Sequence, residues 1–234
     1  MENNYFDREI ALIGIEAFNR LKNASVLIFG VGGVGGYALE ALVRAGIGRI
    51  TAVDSDCVSD TNINRQILAT RDTVGMKKVD AAKARALSIN PDISFSAIDM
   101  FYLPENANEL DFSGYDYIID AVDTVSAKIN IAERAGKLGI PLISCMGTAN
   151  RKSSVGFSIC DVYETSGCPL ARVMRRECKK RGIEGFKVVF SASESEKTAV
   201  KDENGRNVPA SISYVPPIGG LLAAEEVIRH IAKI

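Results

Sequence analysis

Residues 25–30 (SVLIFG) form an unbroken apolar run closed by glycine, the pattern of a parallel strand buried on both faces. Residues 36–45 (GYALEALVRA) then carry apolar side chains at helical spacing. The first unit is therefore strand, glycine turn, helix. Residues 49–54 (RITAVD) predict the next strand, and residues 73–90 predict a helix stopped by Pro91. Residues 93–98 return to strand pattern. Residues 115–121 (YDYIIDA), a helix over 126–138 and residues 141–144 (PLIS) continue the alternation. Strands 157–162 and 187–191 come next, with direction left open. Such a rhythm predicts an α/β fold: a doubly wound, mostly parallel sheet flanked by helices, with antiparallel strands in the C-terminal third.

Three later segments break the rhythm. Residues 169–180 predict a cationic helix, residues 191–208 a mobile polar loop with almost no apolar anchor, and PPIGGLLAAEEVIRHIAKI an amphipathic helix after a Pro-Gly turn. No internal repeat is present. At 234 residues the chain is expected to form one domain over 1–234, with nucleotide-binding residues within about 5–150 and a substrate-facing portion within 151–234.

Composition narrows the setting but not the chemistry. Hydrophobic residues make up 47%, charged residues 24%, and the formal net charge is -1, so only local clusters can speak for a polyanionic partner. No apolar run reaches the roughly 18 residues of a membrane helix, and the first residues are acidic and polar. A cytoplasmic, membrane-free protein is expected. Five cysteines, none in a C-x-x-C pair, point to reduced thiols rather than a disulfide framework or a zinc ribbon. His230, the sole histidine, falls on the final helix and is expected at the surface, which argues against histidine-based catalysis.

The chemistry begins at Gly30-x-Gly32-Gly33-x-Gly35, a glycine turn between strand and helix of the Rossmann-like kind. There, missing side chains let phosphates reach backbone amides at the positive helix end. Asp54, closing the second strand, is placed to accept hydrogen bonds from ribose hydroxyls. Both features suit NAD as well as ATP. The next residues favour ATP: Asn62, Asn64, Arg65 and Gln66 cluster past the strand edge and Lys78 comes soon after. A triphosphate needs such cations and amides, whereas a dinucleotide pyrophosphate needs fewer. Asp120 and Asp123 stand at the C-terminal edge of a later strand, and magnesium takes one or two carboxylates beside substrate phosphates. Capping of the next helix is a second role open to Asp123.

FDREI at 6–10, GVGGVGG at 30–36, DSD at 54–56, TNINRQ at 61–66, VGMKK at 74–78 and DAVD at 120–123 together resemble the ATP-binding signature of the ubiquitin-activating-enzyme-like superfamily, whose members activate carboxylates as acyl adenylates. The resemblance implies that Asp54 holds the ribose and that Asn62, Arg65 and Lys78 hold the phosphates, with Asp56 and Gln66 among the nucleotide-binding residues. It implies Asp123 on magnesium, and Arg8 as an arginine finger in a homodimer. The segment from ANRKSS at 149 to KKRGI at 183, with PASISYVPPIGG at 209–220, is similar to the tRNA threonylcarbamoyladenosine dehydratases, which use ATP to cyclise that nucleoside at position 37 of tRNA. The C-x-x-C zinc ligands of bacterial relatives that activate sulfur carriers are absent. Under this resemblance tRNA is the partner, and a sulfur-transfer partner stays open.

Arg172, Arg175, Arg176, Lys179, Lys180 and Arg181 stand against Glu177 alone within ten residues, a local +5. That is either an RNA-binding patch or a solvated helix face. Cys168, beside this segment, is the one thiol with a conceivable covalent role. Cys57, Cys145, Cys160 and Cys178 are expected to be structural. Adenylation of a ubiquitin-like sulfur carrier, a nucleotide-binding RNA adaptor without catalysis, and a redox enzyme are the competing readings.

Overall fold

The computed structural model describes residues 5–193, 195–196, 201 and 208–234. Among the described residues seven strands form one sheet: β1 (Ser25–Phe29), β2 (Arg49–Asp54), β3 (Ser94–Asp99), β4 (Tyr117–Asp120), β5 (Leu142–Cys145), β6 (Phe157–Asp161) and β7 (Lys187–Ser191). Their order is β3-β2-β1-β4-β5-β7-β6; every pairing is parallel except β6 on β7. The helices are α1 (Asp7–Ile13), α2 (Ile15–Asn23), α3 (Gly35–Arg44), α4 (Lys78–Ile89), α5 (Val125–Leu138), α6 (Pro169–Lys180) and α7 (Val215–Ala232).

Side-chain alternation explains the layering. In β1, Val26 and Ile28 join one apolar layer with α2, α3, α4 and α7, while Leu27 and Phe29 join a second with α5 and residues 102–112. The uninterrupted apolar run of β1 is thus a strand covered on both faces, as parallel sheets are. A third cluster, Met174, Cys178, Val188 and Phe190 among others, seats α6 beside α5. Connectivity reverses between β1 and β4, and a cleft opens there at the carboxyl ends of both strands, as this topology favours.

The sheet, its helices and its C-terminal antiparallel pair agree with the sequence pattern, but several expectations need correction. The predicted helix from residue 73 starts at Lys78. Residues 73–77 instead fold back: Gly75, at φ +89°, donates to the Val58 carbonyl, Val58 donates to Met76 O, and Lys78 to Asp56 O. The Pro-Gly turn expected before the last helix lies inside it. Pro216 and Pro217 occupy its first turn, where their missing donors are tolerated, and Gly219 and Gly220 are buried helical residues. A Cβ on Gly220 would stand 2.2 Å from Val34 O, so glycine here permits close packing of α7 on the start of α3. Helices α1 and α2 were not anticipated. The mobile loop expected over 191–208 falls largely outside the described residues. His230 is exposed, with its ring edge-on to Tyr117 at 5.2 Å.

Candidate active site

A cavity of about 320 Å³ occupies the switch point between β1 and β4. Gly30, Gly32, Asp54, Asp56, Asn62, Arg65, Gln66, Lys78 and Asp123, all singled out in the sequence, line it. They come from five segments and meet because the parallel strands deliver their carboxyl ends to one edge.

Gly30 leaves β1 at φ +81°, donating to Val53 O at 2.8 Å. A Cβ there would strike Ala121 O at 2.9 Å. Gly35, which opens α3, does not line the cavity; its Cβ would lie 1.8 Å from Gly30 O, so its role is to let helix and loop touch. Gly33 likewise stands off the cavity, against Pro216 and Arg65. The first turn of α3 holds no acidic residue and its N-cap, Val34, offers no capping side chain. Gly36 N and Tyr37 N donate to Gly32 O and Val34 O, and the positive dipole end of the helix is left for an external anion.

Asp54 shapes the loop as well as the cavity: one oxygen accepts from Val31 N and the other from Asp56 N, both at 2.9 Å. Its remaining lone pairs can take ribose hydroxyls. The Lys78 ammonium, on a side chain 8% exposed, is held at 2.7 Å by Asp56, which is 64% exposed. Arg65 is anchored through Nη1 to Thr61 O and Asn64 Oδ1, and Asn64 in turn donates to Ser211 O at 3.0 Å. Asn62 closes a capping box with Ser59. Gln66 Oε1 is buried without a hydrogen-bond partner among the described residues. The Gln66 amide nitrogen, which lies beside Gly32, is the group able to donate to a phosphate oxygen.

Asp123 is exposed in the loop between β4 and α5. Helix capping is not its role: the N-cap of α5 is Thr124, and no side chain caps that end. Asp120 is sealed behind the loop, 2.9 Å from Lys128, both fully buried, so Asp123 is the carboxylate of this loop that reaches the cavity. Phe29, Val53, Met100, Phe101, Tyr102 and Val122 supply a largely apolar wall that sequence reasoning missed. The available signal was MFY at 100–102, immediately past β3 on the same sheet edge.

The other candidates lie elsewhere. Arg8 is exposed on α1 and is not a lining residue. Cys168, 2% exposed, sits at the N-cap of α6 in an apolar cluster. The basic segment divides. Arg172 and Lys179 are exposed, while Arg176, Lys180 and Arg181 converge on Glu177. These cations, chiefly Arg181 and Arg176, hold its carboxyl down at about 2. Arg175 turns inward, donating to Thr165 O at 2.7 Å and to its hydroxyl. The free positive charge on α6 is smaller than the residue count suggests.

The ThiF family profile matches residues 6–234. The tRNA threonylcarbamoyladenosine dehydratase of Bacillus subtilis (strain 168) is 40% identical over 240 residues, covering 97% of this chain and 94% of that protein. The protein of the same name from Escherichia coli (strain K12) is 37% identical over 188 residues, covering 77% and 70%. A crystal structure of the E. coli tRNA N6-threonylcarbamoyladenosine dehydratase in complex with ATP superposes with a TM-score of 0.89 at 30% identity, over 98% of this chain and 94% of that one. With the match running through every segment that lines the cavity, the chain belongs to the ThiF family.

Proposed function

We propose that this chain uses ATP to dehydrate N6-threonylcarbamoyladenosine at position 37 of tRNA. The observation that carries the reading is the convergence of the glycine turn, Asp54, Asn62, Arg65, Gln66, Lys78 and Asp123 on one cavity, in a chain alike over nearly its whole length to enzymes bearing that name. The threonyl carboxylate attacks the α-phosphorus of ATP, and the bond to the β-phosphate breaks to release pyrophosphate. The ureido group of the same nucleoside then attacks the acyl carbon, loses a proton and expels AMP. One carboxylate oxygen leaves with AMP, so the base has lost the elements of water. Ring closure is intramolecular, where effective molarities reach about 10⁵ M or more, and needs no cysteine or histidine catalyst.

Within the cavity Asp54 holds the ribose, and the apolar wall around Phe101 and Tyr102 takes the base. Asn62, Arg65, Gln66 and Lys78 take the phosphates. Lys78 transfers from Asp56 to a phosphate oxygen, a stronger partner once charge develops. Among the described residues the lining side chains comprise two cations, Arg65 and Lys78, against three carboxylates, Asp54, Asp56 and Asp123. They cannot balance a triphosphate. A magnesium ion fits this donor set, because it binds through one or two carboxylates together with phosphate oxygens; Asp123 would hold it, and it would neutralise charge on the phosphates. Arg8 of a second copy would bring a further cation, making a homodimer the working unit. The exposed cations of α6, Arg172 and Lys179 first among them, draw in the tRNA backbone. No helix of the described residues is long and apolar enough to cross a membrane, and five free cysteines suit a reducing, cytoplasmic setting.

Mass analysis of nucleosides from threonylcarbamoylated tRNA incubated with the protein, ATP and magnesium tests the reading. Loss of one water from the modified base is expected. Pyrophosphate exchange stimulated only by a carrier protein ending in Gly-Gly, or tight NADH binding without ATP binding, would overturn it.

A further inference from the structure

Residues 121–124 hang between the last residue of β4 and the first of α5, and carry Asp123 into the cavity. Beneath this loop three side chains from three elements meet with no exposure: Asp120 on β4, Lys128 on α5 and Ser144 on β5. All three bonds end on one carboxylate. Lys128 Nζ donates to Asp120 Oδ2 at 2.9 Å, Ser144 Oγ donates to the same oxygen at 2.5 Å, and Asp120 Oδ1 accepts the Val122 N–H at 3.3 Å. The loop is also fastened at its ends, by Ala121 N to Phe29 O at 2.8 Å and Lys128 N to Thr124 O at 3.0 Å.

Stability alone does not explain this cluster. Desolvating both charges costs about as much as their attraction returns, and a well-packed apolar pair of similar volume joins strand to helix equally well. An apolar pair could not accept the Val122 amide, however. We infer that Asp120, Lys128 and Ser144 are positioning residues for Asp123. The buried carboxylate fixes the 121–122 peptide so that the following side chain projects into the cavity, and Lys128 keeps Asp120 from turning towards any cation there. The same peptide touches the nucleotide loop, since the Cβ denied to Gly30 would strike Ala121 O, so a shift of residues 121–124 is felt on both sides of the site.

The inference rests on the adenylation reading, and the test separates the two. Ser144→Ala removes one hydrogen bond without unpairing a charge. Asp120→Asn/Lys128→Met removes both charges together and avoids the lone buried ion that Lys128→Met leaves by itself. ATP–pyrophosphate exchange in the presence of substrate tRNA is read alongside hydrogen–deuterium exchange of the peptide spanning 120–128 without ligand. Ser144→Ala should lower kcat about 3- to 10-fold and the double variant about 100-fold, with KM for ATP within about twofold. The amides of residues 121–124 should exchange faster in both. Wild-type kcat and wild-type protection in Ser144→Ala would overturn the inference, whether or not the double variant folds. A wild type inactive in exchange would overturn the adenylation reading instead, and the amide protection would still decide the positioning role.

Discussion

Gly35→Ala is a small change with a large expected effect. The new methyl would lie 1.8 Å from Gly30 O, 2.9 Å from Gly30 C and 3.3 Å from Ala121 Cβ. A Cβ essentially never stands closer than 3.0 Å to another atom, so about 1.2 Å of separation must be found. Gly30 cannot retreat, because its amide is bonded to Val53 O and the space on its own Cβ side is closed by Ala121. Overpacking of this kind costs about 1–3 kcal/mol, offset by at most about 1 kcal/mol of helix propensity. A net loss of about 1–2 kcal/mol corresponds to a Tm drop of roughly 2–8 °C for a chain of this size. The functional effect is larger: a displacement of about 1 Å in the glycine loop should lower adenylation on the order of 100-fold. Gly36→Ala is the matched control. Its Cβ would meet Ile67 Cγ2 and Val31 O at 3.4 Å, close to ordinary contact distance, and should be neutral or stabilising by up to about 1 kcal/mol. Thermal melts and ATP–pyrophosphate exchange rates of both variants decide the matter. If Gly35→Ala matches Gly36→Ala in Tm and adenylation rate, the close-packing account of this glycine is wrong.

Three further outcomes are expected. Asp123→Asn should abolish adenylation while shifting stability by no more than about 0.5 kcal/mol, since the residue is exposed; turnover retained at saturating magnesium would remove it from the metal site. Arg172→Glu/Lys179→Glu should weaken tRNA binding and reduce its log–log salt slope by about 2, leaving ATP affinity unchanged. An unaltered slope would reduce α6 to a solvated face, and Arg175 is left intact because it pins Thr165. Burial pushes the Cys145 thiol up to about 12. The folded state therefore keeps its proton where the unfolded chain gives it up, so this contribution to stability is complete below about pH 8.5 and is lost as pH rises towards 12, at about 1.4 kcal/mol per unit. Urea midpoints between pH 8 and 10 should fall less steeply in Cys145→Ala than in the wild type, and equal slopes would refute the assignment.

The sequence was most legible where one physical signal dominated. Strands β2 and β7 and helix α6 have the predicted ends because hydrophobic pattern and punctuation coincide there. The lining residues were legible because they sit at or shortly past the carboxyl ends of strands, or open a helix there, as Asp54 ends β2 and Lys78 starts α4. Elsewhere, one residue type serves two structural purposes. Gly219 and Gly220 look like a turn but allow a helix crossing, and Gly75 lies within an apparently helical run that backbone pairing to Val58 redirects. Helix α1 is short and buries no residue fully, whereas α2, with Ala17, Phe18 and Leu21 buried, carries an apolar stripe in its sequence. The Asp120–Lys128 pair joins a strand to a helix, a spacing to which neither strand nor helix periodicity draws attention.

The packing of α7 on α3 also bears on how this molecule is made. The helix that opens at the glycine turn is covered by residues that come after it by most of the chain length, and β7 is inserted between β5 and β6. A nascent chain that has just emitted its whole nucleotide signature still lacks the apolar cover for α3 and must close a very long loop to obtain it. ATP-binding competence should therefore arise late in synthesis, once residues 215–232 have left the ribosome. Until then the bare face of α3 and the half-built sheet are surfaces for a chaperone to hold.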